Sequence, residues 1–167
     1  MLQPNFLIIA LAALVPTFVG FIWYNPKVFG TIWMKETGMT PEKGKEMNMM
    51  VVMIACYIMS FLAGMSLNFI VIHQFGLFSM LQNVPDATNA SSEVGQHVKY
   101  LMDTYGANFR TFKHGVLHGA ITGVFLALPI VGTGALFEGR TYKYIAVSAG
   151  YWIITFMLMG GLICQFT

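Results

Sequence analysis

Four long apolar segments, nearly free of charged residues, constrain this chain more than any other feature of its sequence. The first runs from Phe6 to Trp23 without a single charge. A helix rises about 1.5 Å per residue, so roughly 20 apolar residues cross the ~30 Å hydrocarbon core of a bilayer. The sequence therefore predicts an all-α integral membrane four-helix bundle that forms a single domain over residues 1–167. Its spans are expected at residues 5–24, 49–73, 112–137 and 144–166.

Composition excludes several classes of function. Charged residues make up 10% of the chain, whereas soluble domains contain about a quarter. The net charge of +2 and the lack of a basic cluster argue against nucleic acid, so the lipid bilayer is the expected partner. The interiors of the spans hold no Asp, Glu, Lys or Arg, although ion-coupled transporters usually keep such a group at depth. Without a phosphate loop or a nucleophile motif, an enzyme is disfavoured and no cofactor is predicted.

The sulfur-containing residues allow two interpretations. Thirteen methionines would suit a Cu(I) transporter, because thioethers bind that ion. Their scattered positions favour flexible packing against lipid instead. Cys56 and Cys164 are expected to be buried free thiols at different depths, too far apart for a disulfide.

The positions of Lys and Arg predict the orientation of the chain. The first and third loops hold six of these residues and the second loop holds three. The positive-inside rule then places the first and third loops in the cytoplasm, and both termini and the second loop outside. The six are Lys27, Lys35, Lys43, Lys45, Arg140 and Lys143, and the three are Lys99, Arg110 and Lys113.

The first and second loops are each predicted to hold a short amphipathic helix that lies on the membrane surface. Gly38 should end the first of these. Thr40 and Pro41 are typical of a helix start, so the second span is expected to begin near Pro41 and to enter lipid around Met49. Pro16 should bend the first span. The apolar faces consist of Val28, Phe29, Ile32 and Trp33 in the first loop and of Val98, Leu101, Met102 and Tyr105 in the second.

Three histidines are the candidate metal ligands. His73 ends the second span, and His114 and His118 open the third. Because His114 and His118 are four residues apart, they lie on one face of a helix and can share a metal ion. The alternative is that they only form hydrogen bonds among headgroups and between helices. Further ligands near this end of the spans are His97, Glu93 and Asp103.

A stripe of glycines lies beside these histidines. Gly115, Gly119 and Gly123 recur at every fourth residue of the third span. Small residues at this spacing let two membrane helices approach closely. Gly160 and Gly161 fall at a similar depth on the antiparallel fourth span, so packing between these two spans is expected. A homodimer seam is the alternative.

Pro129 and Tyr151 are predicted to have structural roles. Pro129 lies within the third span, where it removes a backbone donor and frees the carbonyl of Phe125. Tyr151 in the fourth span should lie near that depth, and its hydroxyl needs a partner away from water. We therefore expect Tyr151 to form a hydrogen bond close to the break at Pro129.

Two parts of the chain contain motifs that are specific in combination. The first part comprises residues 20–30 (GFIWYNPKVFG) and 33–38 (WMKETG). The second comprises 114–119 (HGVLHG), 127–129 (ALP), 136–138 (LFE), 142–144 (YKY) and 150–152 (GYW). Together they resemble a bacterial membrane-protein family known as domain of unknown function 1761. The resemblance implies a bacterial cytoplasmic (inner) membrane and a four-helix arrangement, and it implies no activity, substrate or cofactor.

These observations lead to three hypotheses of function. The first is a non-enzymatic protein that works through contacts, as a homo-oligomer or as an accessory subunit of a larger membrane complex. The second is a metal or small-molecule binding or transport protein with its site at the outer membrane face, built from His73, His114 and His118. The third, a membrane enzyme that uses one of these histidines as an acid or base, is the weakest because no partnered nucleophile is evident.

Overall fold

A computed structural model describes residues 2–167, which form helices joined by short loops. Four helical segments are long and apolar enough to cross a membrane. They confirm the predicted all-α four-span bundle, and their ends lie within two residues of the predicted ones. The spans are Phe6–Trp23, Met49–Val71, Phe112–Phe137 and Tyr142–Phe166. The helices are α1 (Phe6–Ala12), α2 (Val15–Trp23), α3 (Gly30–Thr37), α4 (Pro41–Glu46), α5 (Met49–Val71), α6 (Gln74–Met80), α7 (Glu93–Tyr105), α8 (Phe112–Thr122), α9 (Leu128–Phe137) and α10 (Tyr142–Phe166).

The fourth span lies at the centre of the bundle. α10 packs against α8 and α9 of the third span, α5 of the second, and α1 and α2 of the first. Apolar side chains on the outer faces of the other spans are exposed, as expected for surfaces that contact lipid. The core is densest at one end of α10, where Met159, Ile163 and Cys164 meet Leu67 and Val71 of α5.

The first span is interrupted just before Pro16, where a bend was predicted. α1 ends at Ala12 and α2 begins at Val15, because a proline inside a helix cannot donate its backbone hydrogen bond. The Tyr151 hydroxyl donates a hydrogen bond to the Pro16 carbonyl oxygen at 2.9 Å. Tyr151 was predicted to form its hydrogen bond close to the break at Pro129, and that prediction is therefore wrong. Tyr151 lies on the side of α10 that faces α2, and its ring lies 3.8 Å from the point where a Cβ at Gly20 would be.

Substitution of Tyr151 by phenylalanine is expected to lower the free energy of unfolding by about 1 kcal/mol, since the ring stays packed and only the bond to the Pro16 carbonyl is lost. Thermal unfolding in detergent would measure the change. Tyr142→Phe is the matched control, because this tyrosine is 81% exposed. Equal stabilities of the two variants would contradict a structural role for the Tyr151 hydroxyl.

The third span contains a π-helical turn, Gly123–Ala127, immediately before the segment with Pro129. The Leu128 N–H donates to the Gly123 carbonyl, five residues earlier, instead of to the carbonyl four residues earlier. The wider turn shifts the hydrogen-bond ladder by one residue just where Pro129 cannot donate. The predicted irregularity at Pro129 is thus part of the structure.

The second span starts differently from the prediction. Thr40 caps a helix as expected, and its side-chain oxygen accepts a hydrogen bond from the Lys43 N–H. That helix, α4, ends at Glu46, however, and the second span does not begin near Pro41. Met47 is extended, and the Asn48 side chain accepts from the Val51 N–H to cap α5 separately. Two capping residues eight positions apart therefore make two helices where one was predicted.

The glycine stripe of the third span faces α10. A Cβ on Gly115 would lie 2.1 Å from the Gly160 carbonyl oxygen, and one on Gly119 would lie 2.1 Å from that of Phe156. A Cβ on Gly123 would lie 2.7 Å from Ile153 Cα. On the other side of the seam, a Cβ on Gly160 would collide with the Gly115 carbonyl oxygen, and a Cβ on Gly161 would collide with the Phe112 ring. This contact between the third and fourth spans covers the glycine surface that a homodimer seam would need.

Candidate metal centre

Three histidines from two parts of the chain meet at one end of the bundle. His114 and His118 lie one turn apart on α8, and His73 lies between α5 and α6. One ring nitrogen from each can be chosen so that all three lie within 4.8 Å of one another. The ring centroids are 4.4 to 4.8 Å apart. The second loop lies at this end of the bundle.

Local backbone structure explains why His73 reaches α8. α5 ends at Val71, and the next residue, Ile72, is extended with φ −109° and ψ 94°. This break redirects the chain, and His73 then adopts helical angles just before α6. On the other side, the Thr111 hydroxyl accepts from the His114 N–H at 3.3 Å and starts α8. The two ends of the spans thereby present all three rings to the same space.

The spacing of the nitrogens suits a transition-metal ion after a small contraction. A tetrahedral Zn²⁺ with bonds of about 2.0–2.1 Å places its ligand atoms about 3.4 Å apart. Rotation of the side chains within their rotamer wells supplies shifts of this size. Among residues 2–167, His114 Nε2 is buried and has no hydrogen-bond partner, so it carries a desolvation cost that a metal bond would offset. The donor set therefore fits a metal.

The other predicted ligands do not join the group. Within residues 2–167 the cluster contains no side chain besides the three histidines. His97, Glu93 and Asp103 lie on α7, where Asp103 is paired with Lys99 on the exposed surface. Three neutral imidazoles would leave a divalent ion with its full charge and at least one coordination position for another ligand.

Phe109 stands against the histidines and was missed by the sequence interpretation. Its ring centroid lies 5.2 Å from that of His114 and 6.4 Å from that of His73. The backbone of Phe109 is left-handed, with φ 62°. Nothing in the sequence indicates this conformation, because glycine and asparagine are the residues that usually adopt it.

A cleft of about 410 Å³ opens next to the cluster. It lies between α6, α7 and the segment that precedes α8, and its lining is mostly apolar. His73 and Phe109 are among its lining residues, so the cleft lies beside the histidine cluster. Other lining residues are Leu77, Leu101, Met102 and Tyr105.

Cys164 contacts the backbone at this end of the bundle. Its thiol is buried and donates to the Phe109 carbonyl at 3.3 Å, with the Val71 carbonyl at 3.5 Å. Both cysteines are free, as predicted, but Cys56 is exposed on the outer face of α5 and not buried. Cys164 therefore contacts the backbone next to the histidines without joining them.

The opposite end of the bundle is an aromatic packing cluster. The Trp23 indole donates to the Val147 carbonyl at 3.0 Å, and Tyr24 packs between Trp33 and Tyr151. Burial raises the pKa of Tyr24, so its hydroxyl stays neutral. A Cβ on Gly30 would lie 2.1 Å from the Tyr24 carbonyl oxygen. The motif at residues 20–30 therefore has a packing role, and the histidine end is the better candidate for chemistry.

A family described as "Protein of unknown function (DUF1761)" matches residues 7–164, which is nearly the whole chain. No curated protein and no solved structure matches the chain.

Proposed function

We propose that this chain, which belongs to the DUF1761 family, is a multi-pass membrane protein that binds a divalent transition-metal ion through His73, His114 and His118. One observation carries the proposal: ring nitrogens from two separate chain segments lie within 4.8 Å of one another. Imidazole nitrogen suits zinc, copper, nickel and iron. Zinc is the first ion to test, because three histidines with one open position form one of its known coordination sets.

The unpaired nitrogen of His114 supports a metal over a purely hydrogen-bonded cluster. Histidines that serve only as polar contacts are expected to pair both ring nitrogens when they are buried. His114 Nε2 is buried and has no partner in the part of the chain that the structure describes. A metal ion bound through this nitrogen would satisfy it and would hold α8 to the end of α5.

The proposed site faces the outside of the cell membrane. The six Lys and Arg residues of the first and third loops outnumber the three of the second loop, which favours an external second loop. The histidines lie on the side of the second loop, so the ion would enter from outside. The proposal places the protein in the bacterial cytoplasmic membrane, which the resemblance to the DUF1761 family implies.

A metal titration tests the proposal. The wild-type protein, stripped with a chelator in mild detergent, is expected to bind one Zn²⁺ or Co²⁺ per chain, measured by calorimetry and by cobalt absorption. The double variant His114→Ala/His118→Ala is expected to lose this binding, because one imidazole remains where three ligands are needed. His97→Ala is the matched control, since this histidine lies on α7 outside the cluster.

Two results would contradict metal binding. One is a wild-type protein that binds no ion at micromolar concentrations. The other is a double variant that binds as well as the wild type while its helical content and elution volume are unchanged.

Assembly with other proteins remains a second proposal. Tyr100 and Tyr105 on α7 are 60% and 50% exposed, on a helix outside the spans, and exposed aromatic residues are enriched at interfaces. Native mass spectrometry of protein extracted gently from its membrane would test this. Multiples of 18.5 kDa, or copies with other subunits, would support an oligomer or a complex. A mass of one chain under several mild detergents would contradict it.

A further inference from the structure

We infer that Gln74 and Cys164 are positioning residues that hold the two histidine-bearing segments of the chain in the arrangement that binds the metal. The inference rests on the proposed metal binding and goes beyond it, because neither residue is a ligand. Both side chains reach the backbone at residues 108–109, just before α8, and both are linked to the segment that carries His73.

Gln74 connects the two segments directly. It follows His73 in the chain and begins α6. Its side-chain amide donates a hydrogen bond to the Asn108 carbonyl oxygen at 2.9 Å. Asn108 lies in the segment that leads into α8 and His114. One bond therefore joins the neighbour of the first ligand to the segment that positions the other two.

Cys164 connects the same segments from the interior of the bundle. This residue of α10 is fully buried, and its thiol lies 3.3 Å from the Phe109 carbonyl oxygen and 3.5 Å from that of Val71. The Phe75 N–H, which a continuous helix would donate to Val71, donates to the Ile72 carbonyl instead at 3.3 Å. The thiol therefore offers a donor to the last carbonyl of α5, which the break leaves without its helical partner.

Cys164 also contacts α8 beside the ligands. A Cβ on Gly115, the residue after His114, would lie 2.6 Å from Cys164 Cβ. The Phe109 carbonyl, which the thiol contacts, also accepts from the Thr111 N–H at 2.9 Å. The Thr111 hydroxyl in turn accepts from the His114 N–H at 3.3 Å. Contacts of one buried side chain thereby reach the backbone before and after His114.

The positions of the ligands matter because the three imidazoles come from separate segments. The apparent Kd for an ion is the intrinsic Kd divided by the fraction of molecules that have the binding-competent arrangement. His73 is exposed and lies between α5 and α6, so packing of its own ring does little to fix it. The bonds of Gln74 and Cys164 supply that constraint through the backbone.

The metal affinity of a double variant tests the inference. Gln74→Met keeps an unbranched side chain of similar length without the amide donor. Cys164→Ala removes only the sulfur, so the Cβ that packs against Gly115 stays. Together they are expected to raise the Kd for Co²⁺ at least about tenfold, as for ligands that are assembled no more than a tenth of the time. Cobalt absorption well below the Tm would measure the Kd. Cys164→Ser keeps a donor and should bind more tightly than Cys164→Ala.

A matched double variant separates positioning from general stability. Met159→Ala removes another fully buried side chain of α10. Gln96→Met removes an amide on α7 that bonds to the Ser91 carbonyl at 3.5 Å. Because a cavity in the core destabilises the fold, this variant should have a lower Tm but the Kd of the wild type. A Kd raised as much as in the Gln74→Met/Cys164→Ala variant would overturn the inference, because loss of stability alone would then explain the change.

Hydrogen exchange of the metal-free protein gives a second readout. Amides of residues 73–76 and 109–115 should exchange faster in the Gln74→Met/Cys164→Ala variant, since the bonds between these segments are lost. Saturating Co²⁺ should restore protection in both segments, because the ion joins them again. Amides around Tyr24, at the opposite end of the bundle, should exchange like those of the wild type. Unchanged exchange in both segments would overturn the inference.

The outcomes distinguish the positioning role from the metal site. If the wild type binds Co²⁺ and the Gln74→Met/Cys164→Ala variant binds it with the same Kd, the positioning role is wrong and the metal site stands. If the wild type binds no Co²⁺, the metal site fails and the positioning role fails with it. Gln74→Met alone, at a half-buried position, is the variant to use if the double variant does not fold. It should raise the Kd about threefold, as for the loss of one net hydrogen bond, and a wild-type Kd would overturn the inference.

Discussion

Gly119→Ala is expected to destabilise the protein by about 3 kcal/mol or more, at the upper end of the range for overpacked cores. The added Cβ would lie 2.1 Å from the Phe156 carbonyl oxygen and 2.8 Å from Met157 Cα. These are backbone atoms of α10, so no side-chain rotation can relieve the collision. The third and fourth spans must separate instead, and that separation removes dispersion contacts along the whole seam.

Gly134→Ala provides the matched control for this substitution. Gly134 lies in the same span, and no atom of the described residues lies within 4 Å of a Cβ built on it. Its stability should equal that of the wild type or exceed it slightly, because alanine is the better helix former. Thermal or SDS-induced unfolding of the variants would measure the difference. Equal stabilities of the Gly119 and Gly134 variants would contradict the close seam between α8 and α10.

Metal binding should stabilise the fold strongly. An ion that binds only the folded protein adds about 2.7 kcal/mol at a concentration one hundred times its Kd. Zn²⁺ at that concentration is therefore expected to raise the Tm of the wild type by several degrees. His118→Ala should lose most of this increase, because it leaves only His73 and His114 as ligands.

Thermal unfolding with and without Zn²⁺ would measure this effect, with His97→Ala as the control that keeps it. The increase in Tm should also disappear when a chelator is added in excess. An equal increase in wild-type and His118→Ala protein would show that the ion acts elsewhere and would contradict the three-histidine site.

The four spans were predictable because lipid allows few alternatives. Any backbone segment in the hydrocarbon core must satisfy its hydrogen bonds internally, so apolar segments of this length form helices whatever their neighbours are. Pro16 and Gly38 were also predictable, since each acts through its own backbone: Pro16 interrupts the first span, and Gly38 ends α3 with φ 67°. Local chemistry is sufficient for both.

The features that sequence reasoning missed depend on contacts between distant residues. Tyr151 could be expected to need a partner, but whether the break at Pro16 or the one at Pro129 supplies it depends on how α10 is rotated in the bundle. The separate start of α5 at Asn48 was missed because the cap at Thr40 already explained a helix start.

The histidine cluster was only partly predictable. The spacing of His114 and His118 places them on one face of α8, but membership of His73 depends on the break at Ile72. Phe109 had no signal in the sequence: its backbone is left-handed, and the bonds to the Asn108 and Phe109 carbonyls come from Gln74 and Cys164, which are distant in the chain. A residue whose conformation is imposed by distant partners cannot be recognised from its neighbours in the chain.

X-ray absorption spectroscopy at the zinc edge tests the central claim most directly. Wild-type protein loaded with one equivalent of Zn²⁺ should show nitrogen ligands at about 2.0–2.1 Å, with outer-shell scattering from three imidazole rings. The spectrum of His118→Ala should contain fewer imidazoles or no bound zinc. A wild-type spectrum without imidazole ligands, or one that the His118 substitution leaves unchanged, would contradict the proposed site.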